Sequence, residues 1–114
     1  MQTSIIIPTY NRPNDLQTVL NSIIIQTVPP KEVIIVDDSS NEGVKSVCTE
    51  MSDRLQEKNI DLLYIRNNRE RSSAIARNIG IEHCTGNIAM FLDDDVILEK
   101  KLHKTDFKTL LSKM

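Results

Sequence analysis

Four short apolar runs punctuate the chain: Ser4 to Pro8, Val33 to Val36, Leu62 to Ile65 and Ile88 to Leu92. Each is of strand length, and β-branched residues dominate the first two, which suits a pleated surface. None alternates polar with apolar positions, so each is expected to be covered on both faces, as in a parallel sheet. Between them the apolar positions recur at helical spacing. Leu16, Val19, Leu20 and Ile23 follow Asn11-Arg12-Pro13, which supplies a cap and a proline near the first helical position, and Pro29-Pro30 ends the segment. Val44, Val47, Cys48, Met51 and Leu55 mark a second helix, expected to be frayed by its Ser and Asp residues. Ser72 or Ser73 can cap a third, running through Ile75, Ala76, Ile79 and His83 and ending at Gly86. Ala74, Ala76 and Gly80 are small enough to let this helix approach a neighbour closely. Leu98, Leu102, Phe107, Leu110, Leu111 and Met114 suggest a last, lysine-rich amphipathic helix.

The order is strand, helix, repeated four times. It predicts an α/β fold: a Rossmann-like open parallel sheet of about four strands with flanking helices and right-handed crossovers. With 114 residues the chain has material for a single core.

Charge changes the picture by exclusion. A formal net charge of −2 offers no broad basic field for nucleic acid. Any phosphate ligand must be held by local groups or by a metal. No stretch reaches the ~20 apolar residues of a membrane span, so the expectation is a cytoplasmic protein, or one peripheral to the membrane in a longer parent. Cys48 and Cys84 stand far apart and outside any metal-binding spacing, and are read as reduced thiols. His83 and His103 have no second ligand at metal spacing and are read as structural.

Position is the most informative property of the polar residues. In open parallel sheets, ligands bind outside the carboxyl ends of the strands. Here each expected strand runs into an unusual polar group: Pro8-Thr9-Tyr10-Asn11, Asp37-Asp38-Ser39-Ser40, Arg66-Asn67-Asn68-Arg69 and Asp93-Asp94-Asp95. All four should share one rim. Three adjacent carboxylates raise one another's pKa or require a cation, and carboxylates with water and phosphate oxygens make the site that Mg²⁺ or Mn²⁺ prefers. Residues one and three of such a turn can reach the same side, so Asp93 and Asp95 are the candidate metal pair. The same triplet could instead form a solvated acidic turn or cap a following helix. Asp37 and Asp38 could build a turn at the second helix, or one could accept the imide N–H of uracil. Tyr10 could stack on a base or sugar, or pack on the first helix. Arg77, one position after Ala76, offers a cation to a diphosphate or a surface ion pair.

Taken together, these residues resemble the family-2 inverting glycosyltransferases of GT-A fold, over nearly the whole chain from Ser4 to about Leu98. Ser4 to Arg12 is similar to that family's first strand and loop, Ser22 to Gln26-Thr27 to the end of its first helix, and Glu32 to Ser40 to its second strand. Ala76 to Ile81 and Gly86 to Asp95 are similar to its third helix and its DxD motif. The resemblance implies a GT-A nucleotide-binding half whose ligand is a nucleoside diphosphate sugar, a UDP-sugar above all. Tyr10 and Asp38 would hold the base, with Pro8 and Thr9 lining its pocket. Arg77, Asp93 and Asp94 would complete the nucleotide site, with Asp93 approaching ribose or sugar. Asp95, with Asp93, would ligate Mn²⁺ or Mg²⁺ bridging the diphosphate. An acceptor hydroxyl, of a carbohydrate or another compound, would then attack the anomeric carbon with inversion.

Two departures qualify this. The family's third strand is usually followed by Asn and Gly, whereas Asn68 is followed here by Arg69-Glu70-Arg71. The family's general base lies well beyond the DxD motif, and no residue of this chain matches it. The expectation is a nucleotide-sugar-binding domain over residues 1–98, with 99–114 beginning a missing acceptor-binding half. Such a piece would expose the edge at Ile88 to Leu92 and self-associate there or through the Leu102–Leu111 helix. Alone it would be a nucleotide-sugar-binding module without transfer activity. A receiver-like signalling domain is a third reading, ranked last on placement. It needs an acidic pair after the first strand and an aspartate after the third, where this chain has Thr9-Tyr10 and Asn67-Asn68.

Overall fold

The computed structural model describes residues 2–68 and 70–95. The expected C-terminal helix over residues 99–114, with His103 and the Leu102–Leu111 face, lies outside the described residues. Strands and helices alternate as β1 (Thr3–Thr9), α1 (Pro13–Ile24), β2 (Glu32–Asp37), α2 (Gly43–Glu57), β3 (Asp61–Arg66), α3 (Ser73–His83) and β4 (Ile88–Phe91). The four strands form one parallel sheet in the order β3-β2-β1-β4.

That order follows from the sequence. The two strands richest in Ile and Val, β1 and β2, take the centre, where both faces are covered. Ile5, Ile7, Val33 and Ile35 face a core built with α1 and α2. Ile6, Ile34 and Val36 face the opposite way, onto Ala76 and Ile79 of α3. All four apolar positions expected to seat α1, and all five of α2, are buried.

The edges depart from the sequence reading. Leu63 of β3 remains 37% exposed, because α3 packs over β1 and β2 rather than β3. An apolar run therefore does not by itself guarantee two-sided cover. α2 is not frayed: it continues through Ser52 and Asp53 to Glu57. It closes on Asn59 at φ 59°, a left-handed residue of the kind that ends helices.

The helix ends also differ in detail. α1 begins after Arg12 without a side-chain cap, with Pro13 in its first turn. Asn11 instead adopts φ 51°, a conformation asparagine tolerates better than most residues. The other end of α1 is closed by Gln26, whose buried side-chain amide donates to the Ser22 carbonyl (2.9 Å). Of the two serines before α3, Ser72 is the cap, accepting from the Ile75 amide (3.0 Å). The helix ends at His83, three residues before the expected Gly86, and His83 Nδ1 bonds the Ile79 carbonyl (2.8 Å). Gly86 serves a different purpose: a Cβ there would meet the Ser4 hydroxyl and the Gln2 carbonyl within 2.8 Å, so only glycine lets the chain pass so close to β1.

The topology sets the position of the site. The chain winds from β1 outward to β3, then returns across the sheet to β4 on the far side of β1. The strand order reverses at β1, and the crevice at the carboxyl ends of the strands opens there. The parallel ladder continues past the strands into this rim. Asp38 N donates to Thr9 O (2.9 Å) and Leu92 N to Ile6 O (3.0 Å), so the residues that follow β2 and β4 are held by backbone bonds.

Candidate functional site

A cleft of about 460 Å³ opens at the carboxyl ends of β1, β2 and β4. It is lined by Pro8, Thr9, Tyr10, Asp38, Arg77, Asp93, Asp94 and Asp95, together with Arg12, Arg71, Ser72 and Ser73. All eight residues singled out from the sequence border it. The other four were missed. Arg12 follows Tyr10 by two residues and had been read only as part of a helix start. Ser72 and Ser73 had been read only as caps, yet the cap position brings the start of α3 to the cleft, where the positive end of a helix favours anions.

Within the acidic triplet the three carboxylates face different surroundings. Asp94 is buried, and its Oδ2 accepts from the Thr9 hydroxyl (2.9 Å). Its Oδ1 accepts from Arg12 Nη1 (3.4 Å), and the same nitrogen lies 3.6 Å from Asp95 Oδ2. The middle aspartate is thus built into the protein, while Asp93 and Asp95 remain exposed. The charge that three adjacent carboxylates accumulate is met by an arginine and a hydroxyl from the β1–α1 connection.

The pair on β2 divides in the same way. Asp37 is fully buried, with Oδ1 accepting the Ser39 amide (2.8 Å) and Oδ2 accepting the Tyr64 hydroxyl. Burial, together with this carboxylate acceptor, pushes the Tyr64 phenol up to about 12. Asp38 is the member that borders the cleft, and its carboxylate accepts the Asn67 side-chain amide. The turn joining the two centres is fixed by Ser39, whose hydroxyl accepts the Asn11 amide (2.8 Å).

The third group stands on the same rim, as expected, but does not line the cleft. Arg66 turns away from the cleft. Its guanidinium lies 3.6 Å from Asp37, 3.5 Å from Glu42, and bonds the Asn41 carbonyl at 2.9 Å. β3 lies two strands from β1, about 10 Å at the usual interstrand spacing, so its end supports the site through Asn67 rather than lining it.

Two cation–ring contacts flank the opening. The Arg71 guanidinium lies 3.8 Å from the centroid of the Tyr10 ring, and that of Arg77 lies 5.7 Å from Phe91. Tyr10 is 40% exposed and does not pack as a core residue on α1. Cys48 and Cys84 are both free thiols, and burial pushes the Cys48 thiol up to about 12, leaving it inert. Among the described residues, no group of three or more His, Cys, Asp or Glu is disposed to hold a metal ion. Two exposed carboxylates are what remains once Asp94 turns inward.

The sequence profile described as "Glycosyl transferase family 2" matches residues 4–105. The chain belongs to glycosyl transferase family 2. It is 34% identical over 108 residues to the glycosyltransferase GlyA of Streptococcus pneumoniae, covering 95% of this chain and 15% of that protein. Among solved structures it is similar to the mannosyltransferase PcManGT of Pyrobaculum calidifontis in complex with GDP-Man and Mn²⁺, with a TM-score of 0.75 and 26% identity. That match covers 87% of this chain and 29% of the other. Residues 1–349 of S. aureus TarS in complex with UDP match with a TM-score of 0.74 and 25% identity, over 89% of this chain and 29% of that fragment. The chain therefore spans less than a third of each of these three matched chains. The described part has the Rossmann-like sheet of a GT-A nucleotide-binding half, and among the described residues no helix is long and apolar enough to cross a membrane.

Proposed function

We propose that this chain binds the donor, a nucleoside diphosphate sugar, for an inverting family-2 glycosyltransferase, and that the donor is a UDP-sugar. The observation that carries this is the convergence of Tyr10, Asp38 and the Asp93–Asp95 turn on one cleft at the reversal of strand order. Structural neighbours bound to UDP and to GDP-Man support the ligand class.

Tyr10 would offer its ring to the base. Asp38 would accept the N–H of the uracil imide, with Asn67 holding the carboxylate in position from behind. Pro8 and Thr9 would form the pocket wall, and Arg77 would face the diphosphate. Asp93 and Asp95 would hold Mg²⁺ or Mn²⁺. Two exposed carboxylates fit that role, because such an ion takes one or two protein carboxylates and completes its shell with phosphate oxygens and water. Bound there, the ion supplies positive charge against the diphosphate as the nucleotide departs. The chain's own part is to orient the donor so that the face of its anomeric carbon opposite the diphosphate is open to an acceptor hydroxyl. Deprotonation of that hydroxyl is assigned to no residue of this chain.

Calorimetric titration of UDP in the presence of Mn²⁺ and of a chelator tests the proposal. Tighter binding with Mn²⁺ is expected; equal affinity in both removes the metal from the site, and no binding in either removes the nucleotide.

A further inference from the structure

One face of the Tyr10 ring is already covered, and ring and covering guanidinium both line the cleft. Arg71 lies over the ring at 3.8 Å, a stacking distance, so guanidinium and base would compete for the same ring. The ring is the contact that the described structure gives to Arg71, whereas Arg12 is drawn to Asp94 and Asp95. Arg71 precedes the capping Ser72 of α3 and lines the same cleft as Arg77 and the acidic turn. A guanidinium displaced from Tyr10 would remain in that cleft, and a diphosphate offers several anionic oxygens to its planar, multidentate fork.

We propose that Arg71 is a donor-sensing residue that holds the base's place on Tyr10 in the free protein and passes to the diphosphate when the nucleotide binds. This rests on Tyr10 serving the base. The exchange penalises ligands unequally. A nucleoside must displace Arg71 and gives it nothing in return. A nucleoside diphosphate displaces it and then binds it. Arg71 therefore discriminates for phosphorylated ligands at the base end of the cleft, before the acidic turn is engaged.

NMR titrations of the chain with uridine and with UDP test this on Arg71→Ala, Arg71→Lys and Tyr10→Ala. Arg71→Ala should weaken UDP about tenfold, the loss of a charge-assisted bond, while uridine binds as well as to the parent chain or better. Arg71→Lys should recover part of the UDP affinity, since the charge survives. If Arg71→Ala weakens uridine and UDP by the same factor, or leaves UDP unchanged, Arg71 has no such role. If Tyr10→Ala leaves UDP affinity intact, the base is not on Tyr10, and the assignment of the base site falls along with the exchange. Tyr10→Ala weakening both ligands while Arg71→Ala changes neither overturns the exchange alone.

Discussion

Thr9 and Asp94, 85 positions apart in the chain, share a hydrogen bond of 2.9 Å between a β1 hydroxyl and a buried carboxylate oxygen. It ties the end of the first strand to the acidic turn after the last, across the point where the strand order reverses. Replacing Thr9 by Val keeps the shape and removes the donor, leaving a buried carboxylate short of a partner. The expected loss is about 1–3 kcal/mol of stability, read by urea unfolding. Donor affinity should fall as well, because the turn that carries Asp93 and Asp95 loses its anchor. An unchanged unfolding midpoint would show that Arg12 alone suffices to hold Asp94.

Asp94 and Asp95 should behave differently despite being neighbours. Asp94 is built into the protein by Thr9 and Arg12, whereas Asp95 is exposed at the cleft. Asp95→Ala is expected to abolish the dependence of UDP affinity on Mn²⁺ with little change in melting temperature. Asp94→Ala should lower the melting temperature, having removed a buried, bonded group. Retention of the Mn²⁺ dependence in Asp95→Ala would exclude it as a ligand.

Asp38→Asn tests the base. The substitution keeps the size of the side chain but presents the Asn67 amide with a neutral partner and spoils acceptance from an imide N–H. Uridine nucleotides should weaken by about 1–3 kcal/mol, measured by calorimetry. A nucleotide whose base lacks that N–H should be affected less. Equal losses for both would make Asp38 a structural residue of the β2 turn.

Much of this arrangement was legible in the chain. The strands, the helices and the rim position of Asp93 to Asp95 follow from periodicity and from the rule that ligands meet parallel sheets at the carboxyl ends. What was not legible depends on side-chain partners distant in sequence. Nothing in the residues themselves distinguishes Asp37, which serves Tyr64 and the Ser39 turn, from Asp38, which borders the cleft; only the family resemblance singles out Asp38. Arg66 shares the rim by its position at a strand end, but the buried Asp37 and the exposed Glu42 draw it away from the cleft. Arg71 looked like one charge among several in an unusual loop, and only the fold sets it over Tyr10.

Gly80 was read as a site of close approach, and a Cβ there would lie 2.4 Å from Ile6 Cγ2 and within 3.2 Å of two further atoms of that side chain. Ile6 is fully buried in the centre of the sheet and has little room to yield. Gly80→Ala gains helix propensity yet overpacks the α3–β1 contact, with a net loss of about 1–2 kcal/mol. Thermal unfolding measures it. A gain in stability would mean that α3 can slide outward without cost.

The opposite rim of the sheet carries a pH-dependent latch. Glu32, buried at the start of β2, accepts from the Ser4 hydroxyl, the Thr85 amide (2.7 Å) and the Thr85 hydroxyl (2.9 Å), all at Oε2. The Ser4 oxygen in turn accepts the Gly86 amide (2.9 Å), so one carboxylate joins β1, β2 and the α3–β4 connection. Burial pushes the Glu32 carboxyl up, but the bonds from Ser4 and Thr85 and the charge of Lys31 outweigh it and hold it below its ordinary value of 4.5. A carboxylate depressed on folding stabilises above its unfolded pKa, and that stabilisation is lost as pH falls through the folded value. Glu32→Gln should therefore cost about 1–3 kcal/mol at neutral pH. The difference from the parent chain should shrink below pH 4.5, where Glu32 takes up its proton. Urea unfolding of both proteins from neutral pH to about pH 3 measures this difference directly. A constant gap across that range would mean that the latch depends on the shape of the side chain at this position, not on its charge.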